Sequence, residues 1–149
     1  MLAIDYGHPR DEFYAPYRSA GTLQVRAQNR LLSSAFEGVG RADITAHVEW
    51  TSVAERAEAC GLHVTGFTDQ HHFITGILSE LVRDELSQHV DTKTKRALQT
   101  LLHPEILGRS FQVLALEKDV DPAALASFKF AREPRFALGL GYAVRNLKQ

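Results

Sequence analysis

Apolar positions along the chain change period several times, and each change predicts an element. LAIDYG is a short apolar run closed by turn residues, so residues 2–6 read as a buried strand. HPRDEFYAPY (8–17) is too rich in proline and charge for a regular element and reads as a loop. In TLQVRAQNRLLSSAF (22–36) Leu23, Ala27, Leu31, Leu32 and Ala35 fall at helical spacing, which predicts a helix, and Gly38 and Gly40 break the chain after it. Ser52 and Glu55 have capping-box spacing ahead of Val53, Ala54, Ala57 and Cys60, and Gly61 is placed to end that helix. LHVTGF (62–67) reads as a second strand. FITGILSELVRDEL carries an amphipathic stripe through Phe73, Ile77 and Leu81, and KTKRALQTLLHP adds a short helix stopped before Pro104. SFQVLALEK gives a third, largely buried strand over 111–117. Asp121-Pro122 opens a short helix over AALASF, and Phe136 to Leu140 predicts a last strand.

Strand, loop, helix, strand is the order of an α/β layer. Three buried strands make a poor sheet by themselves, so the pattern is that of one flank of a larger α/β sheet. The first strand then lacks a neighbour on its inner side. The 149 residues are read as a single partial domain, 1–149, with a helical insertion at about 73–102 and a tail at about 119–149.

Composition narrows the function classes. The chain is 44% hydrophobic and 23% charged, which is globular rather than disordered. A formal net charge of -1 and scattered Lys and Arg predict no nucleic-acid partner and no membrane surface. No apolar run approaches the roughly 20 residues of a membrane helix. The single cysteine, Cys60, excludes an internal disulfide framework and fits a reducing compartment, either cytoplasmic or, in a eukaryote, the mitochondrial matrix. No basic segment followed by an apolar one marks a signal peptide at the start.

Candidate chemistry gathers in three places. Asp5 and Tyr6 stand where a strand delivers side chains to the carboxyl edge of a sheet, the usual ligand edge of open α/β folds; the competing reading of Asp5 is a turn residue bonded to its own backbone. In GRADITAHVEW (40–50) Asp43, Thr45, His47 and Glu49 alternate with apolar residues, which is either a site or a half-exposed extended segment held by Asx and Thr turns. Asp69, Gln70, His71 and His72 invite a metal, but adjacent histidines in an extended chain point to opposite faces and no His-x-x-x-His pair occurs, so no metal site is expected. A Walker phosphate loop and a G-x-S-x-G elbow are both absent.

Five blocks, AIDYG, GTL (21–23), ADITAHVEW, GLHVTGFTDQHHFI and LLHPEILGRSFQVLAL, taken in this order and spacing, resemble the C-terminal half of the MidA-like S-adenosylmethionine-dependent methyltransferases. This family includes the mitochondrial arginine methyltransferase of respiratory complex I assembly. Val25 and Asn29 stand near places where the family has a tyrosine and a histidine, and Asp69-Gln70 replaces its Thr-Gln pair.

The resemblance implies the C-terminal flank of a class I, Rossmann-like methyltransferase sheet. LAIDYG would be its fifth strand, and LHVTGF and SFQVLALE the sixth and seventh. It implies S-adenosyl-L-methionine as the cofactor of the full-length family, with no cofactor-binding residue in this chain and none of that cofactor bound by the chain alone. Its substrate would be a protein, for the complex I assembly member a respiratory complex I subunit, methylated at arginine. Asp5 and Asp43 are the expected catalytic residues, and Tyr6, Thr45 and Gln70 the expected substrate contacts. The alternative is a non-enzymatic truncated module that joins a partner, or a second copy as a homodimer, through the exposed edge of its first strand.

Overall fold

The computed structural model describes residues 1–81, 91–120 and 124–141. Four strands form the main sheet: β1 (Leu2–His8), β5 (Val48–Glu49), β6 (His63–Asp69) and β7 (Phe111–Glu117), in the order β5-β1-β7-β6. The central β7 runs antiparallel to both β1 and β6, and only β5 joins in parallel, at Gly7 and His8. The fold is therefore mixed α/β with a mostly antiparallel sheet. The three long strands sit where the apolar pattern puts them, but only β7 is buried on both faces, with Val113 to Leu116 all at most 3% exposed; the expected burial of residues 2–6 is corrected, since β1 leaves Leu2, Ile4 and Tyr6 exposed.

Register sorts the two faces. Ala3, Leu114 and Phe67 lie abreast on one of them, and there α2 (Trp50–Ala59) and α5 (Pro134–Ala137) cover the sheet. Trp50, Ala54, Phe67, Leu114, Leu116 and Leu138 make the core on this side. The other face takes α3 (Gln70–Leu81) and a 3-10 turn at Ala126–Phe128; Gly66 and Gly76 let Phe128 and the backbone of Ala126 approach closely. α4 (Thr92–Leu102) and a single π-helical turn at Pro104–Gly108 lead into β7.

Several expectations are corrected. Residues 22–36 are not helical: β2 (Gln24–Ala27) and β3 (Arg30–Leu32) form a hairpin, and β4 (Asp43–Thr45) adds the third strand of a small antiparallel sheet. Gln28 and Asn29 both have positive φ, the backbone of a tight hairpin turn whose twist matches its strands. The apolar spacing fits a helix and an alternating hairpin equally, and the turn decides. His8 to Tyr17 holds a one-turn helix α1 (Arg10–Phe13) and a 3-10 turn, Pro16–Arg18.

α2 starts at Trp50 rather than at a Ser52–Glu55 box. Glu49 is its cap, accepting from the amides of Thr51 (2.8 Å) and Ser52 and from the Ser52 hydroxyl, while Glu55 pairs with Arg10 at 2.6 Å. Burial works against the charge on Glu49, but the Ser52 hydroxyl and the two amides hold its carboxyl below the usual range. Its end is as expected: Gly61 has φ +80°, and the amides of Gly61 and Leu62 return to Glu58 and Ala57 as a Schellman pair.

In α3, Ile77 and Leu81 are 38% and 41% exposed, so the stripe does not bury as a unit; Phe73 meets Phe128 at 5.4 Å and Gly76 makes the close packing. Phe136 to Leu140 is not a strand, because Glu133 caps the start of α5 by accepting from the Phe136 amide (2.6 Å). The Asp121-Pro122 helix start and the end of the 73–86 stripe lie outside the described residues. Among the described residues no helix is long and apolar enough to cross a membrane.

Candidate functional site

The carboxyl end of β1 meets the small sheet in a cavity of about 680 Å³. Asp5 and Tyr6 line it from β1, Gln24 and Arg26 from β2, and Thr45 and His47 from the segment that ends β4. Thr22 closes it, its hydroxyl accepting from the His47 amide at 3.1 Å. Tyr6 lies against Phe111 with ring centroids 4.1 Å apart and is stacked with His47 at 6.4 Å. His47 in turn lies 5.2 Å from the His8 ring, and its Nδ1 is buried with no hydrogen-bond partner among the described residues. An unpartnered buried ring nitrogen beside a cavity is available to a ligand, since leaving it unpaired is costly.

Expected site residues thus divide. Asp5, Tyr6 and Thr45 line one cavity. Asp5 also accepts from the amide of Tyr6 (2.7 Å), so the local bond and the site position coexist in one carboxylate. Asp43 sits opposite Arg26 in the register, on the face that carries Gln24 and Thr45, but one pair further along and outside the cavity lining. Gln70 is elsewhere: its amide nitrogen donates to the Leu101 carbonyl (2.9 Å), tying α3 to α4.

His71 and His72 are in the first turn of a helix rather than in extended chain, and each ring has its own partner, the Leu102 carbonyl and the Asp69 carboxylate, both at 2.7 Å. Among the described residues no group of three or more His, Cys, Asp or Glu is arranged for a metal ion.

Thr22, Gln24, Arg26, His47 and His8 were not among the expected site residues. The signal for Gln24 and Arg26 is a period of two, visible once 24–32 is read as a hairpin. Arg26 donates to the Gln24 side-chain oxygen (3.1 and 3.2 Å), leaving the Gln24 amide group for a ligand.

Burial, then the nearby positive charge of Arg18 and the His47 ring, lowers the affinity of His8 for a proton, with Glu12 opposing. His8 is therefore neutral at pH 7. Between its folded value and the ordinary value of about 6.5 the unfolded chain binds more protons, so stability falls as pH drops through that window. The His8→Gln variant is expected to show a flatter loss of unfolding free energy between pH 7.5 and pH 5.5 than the parent, measured by urea unfolding. Identical slopes would show that the His8 environment is the same in both states.

Whether these residues could hold S-adenosylmethionine is testable on the glycines, because a nucleotide-like cofactor needs backbone without side chains. Where an added Cβ at Gly7, Gly66, Gly76 or Gly108 would collide, it would meet the chain's own atoms, and at the other described glycines it would meet at most a distant side chain. Close approach at Gly7, Gly66, Gly76 and Gly108 is thus made by this chain's own packing. The cavity at the carboxyl end of β1 has a mainly polar lining of Asp5, Tyr6, Thr22, Gln24, Arg26, Thr45 and His47.

No curated protein matches the chain. Two crystal structures from Burkholderia thailandensis are similar to it, each at 32% identity over 86% of this chain: an uncharacterized COG1565 superfamily protein (TM-score 0.73) and a COG1565 superfamily member, described as a "likely methyl transferase", bound to S-adenosyl-homocysteine (TM-score 0.72). The chain spans only about a third of their length, 35% and 34%. Residues 1–68, which include β1 and the whole cavity lining, match the model of the family described as "Putative S-adenosyl-L-methionine-dependent methyltransferase". Residues 1–68 are thus similar in sequence to that family, and most of the chain is similar in fold to the two COG1565 structures.

Proposed function

We propose that this chain forms the methyl-acceptor side of an S-adenosylmethionine-dependent protein methyltransferase of the MidA-like type, directed at arginine. The observation that carries this reading is the cavity at the carboxyl end of β1, lined by residues that fall within the methyltransferase family match. The similarity to a structure holding S-adenosyl-homocysteine supports the reaction class. Methyl transfer requires a nucleophile held in line with the departing methyl group, so the residues around it chiefly orient and desolvate. In this cavity the Asp5 carboxylate would take a guanidinium, the Gln24 and Thr45 side chains would fix its plane, and the Tyr6–Phe111 pair would exclude water. The protein substrate, a respiratory complex I subunit on this reading, enters from the small-sheet side.

Methyl incorporation from labelled S-adenosylmethionine into arginine peptides, read with the complete protein, is the direct test. Asp5→Asn is expected to lower kcat/KM about 100-fold, roughly 2.7 kcal/mol of transition-state stabilisation. Full activity in that variant, or incorporation only at residues other than arginine, would remove the reading.

Residues 1–149 alone are expected not to bind S-adenosylmethionine, because contacts from the acceptor side cannot offset the freedom an immobilised ligand loses. Isothermal titration yielding a low-micromolar dissociation constant would contradict this.

A second reading is favoured by one observation. Along Leu2 to Tyr6 one edge of β1 is paired, to β7, while the other has no strand partner among the described residues, and Leu2 and Ile4 are 51% and 53% exposed. An unpaired apolar edge recruits another strand, from a partner or a second copy. Light scattering across a concentration series is expected to show association of residues 1–149 that Ile4→Lys abolishes; a clean monomer throughout would exclude it.

A further inference from the structure

A second cavity, of about 520 Å³, opens at the carboxyl end of β6. Its polar wall is Asp69, His72, Arg109, Gln112 and Arg132, with Phe130 beside them. Asp69 is bonded through one oxygen: its Oδ1 accepts from the His72 amide (2.8 Å) and pairs with the His72 Nδ1 (2.7 Å). Gln112 is engaged too, donating to the Arg109 carbonyl at 3.3 Å. The two guanidinium groups are different. Arg109 and Arg132 have no ion pair and no side-chain hydrogen bond among the described residues, whereas Arg10, Arg18 and Arg135 each hold a carboxylate. Two exposed guanidiniums without a carboxylate partner among the described residues, against the single lining carboxylate of Asp69, give the cavity a net positive charge that suits an anion.

The register relates this cavity to the first one. Asp5, Gln112 and Asp69 lie abreast on β1, β7 and β6, on the same face of the sheet. Neighbouring strands are about 4.8 Å apart, so the two ends of this row are roughly 10 Å apart, the span of about three residues of extended chain.

We propose that the Arg109–Arg132 cavity is a subsite for the side-chain carboxylate of an Asp or Glu placed three residues from the group held at Asp5; this rests on the protein-substrate reading above. A guanidinium fork matches a carboxylate with two parallel hydrogen bonds, and two forks with no competing partner select for it over a neutral amide. Substrate choice is then set by a charge pair: a cationic residue at Asp5 and an anionic residue at Arg109 and Arg132.

Nitrogen-15 spectra of the full chain test the subsite without any methyl transfer. Titration with acetyl-glutamic acid amide is expected to shift the Arg109 and Arg132 Nε–H signals saturably, and acetyl-glutamine amide is expected not to. The double variant R109A/R132A should bind the probe at least fivefold more weakly; should it fail to fold, R132Q alone is read. Shifts that do not saturate, or that survive in the variant, overturn the subsite. Inorganic phosphate binding more tightly than the capped glutamate overturns the carboxylate assignment in favour of a phosphoryl group.

Spacing is read with capped Arg-Ala-Ala-Glu and Glu-Ala-Ala-Arg. One of them should bind at least tenfold tighter than its Glu→Gln form, and R109A/R132A should erase that gain. Retained binding of the capped glutamate with no such gain overturns the shared-substrate geometry, and does so whether or not methyl transfer is found.

Discussion

Replacing Gly7 by alanine is expected to cost about 3 kcal/mol and to lower the melting temperature by roughly 10 °C. A Cβ at this position would stand 2.2 Å from the Val48 carbonyl oxygen and 2.6 Å from the Trp50 indole nitrogen. Neither neighbour can give way cheaply. Val48 is the residue paired with Gly7 where β5 joins the sheet, and Trp50 is 2% exposed at the centre of the core. The clash therefore separates β5 from β1 and moves His47, so the acceptor cavity should be lost along with stability. Gly21→Ala is the control: its φ of +73° is strained for alanine, but nothing lies within 4 Å, so about 1 kcal/mol is expected. Thermal and urea unfolding of both variants check the ranking. Equal, small losses would mean that β5 is not packed against β1 as described.

Thr51→Val is expected to cost about 3 kcal/mol by a different route. Thr51 is 1% exposed, and its hydroxyl serves two segments distant in the chain. It donates to the Leu138 carbonyl at 2.6 Å and accepts from the Arg10 amide at 2.9 Å. Valine has the same shape with no hydroxyl, so it strands a buried carbonyl and a part-buried amide together, each carrying a desolvation cost of about 1–3 kcal/mol. Thr51→Ser keeps both bonds and loses one methyl group, for which about 1 kcal/mol is expected. A valine variant as stable as the serine variant would show that water replaces the hydroxyl. The loss should be greater than that of removing Arg10 itself, whose exposed pair with Glu55 adds little.

The main sheet was legible in the sequence because its strands are apolar without interruption. Residues 2–6, 62–67 and 111–117 each read as strands and each coincides with one to within two residues; Val113 to Leu116 are buried as read, whereas Leu2, Ile4 and Tyr6 of the first strand are exposed. The end of α2 was legible for an equally local reason: a positive φ at Gly61 is something the residue itself permits. Residues whose role is set by a distant partner were not legible. Glu55 has the spacing of a capping box, yet Arg10 claims it, and Glu49 caps instead. Leu23, Ala27 and Leu31 suit a helix, and the positive-φ turn at Gln28 and Asn29, with the pairing of β2 to β3, makes their segment a hairpin instead.

For the site the same division holds. Local sequence determined that Asp5 and Tyr6 lie toward the carboxyl end of a strand and that Thr45 lies in an extended polar segment. Only the tertiary structure decided that these three share a cavity with Gln24 and His47, that Gln70 ties two helices together, and that Arg109 and Arg132, more than 20 positions apart, face one opening. Propensity and period act over a few residues, whereas hydrogen-bond partners and cavities are made by chain segments whose separation in sequence carries no such signal.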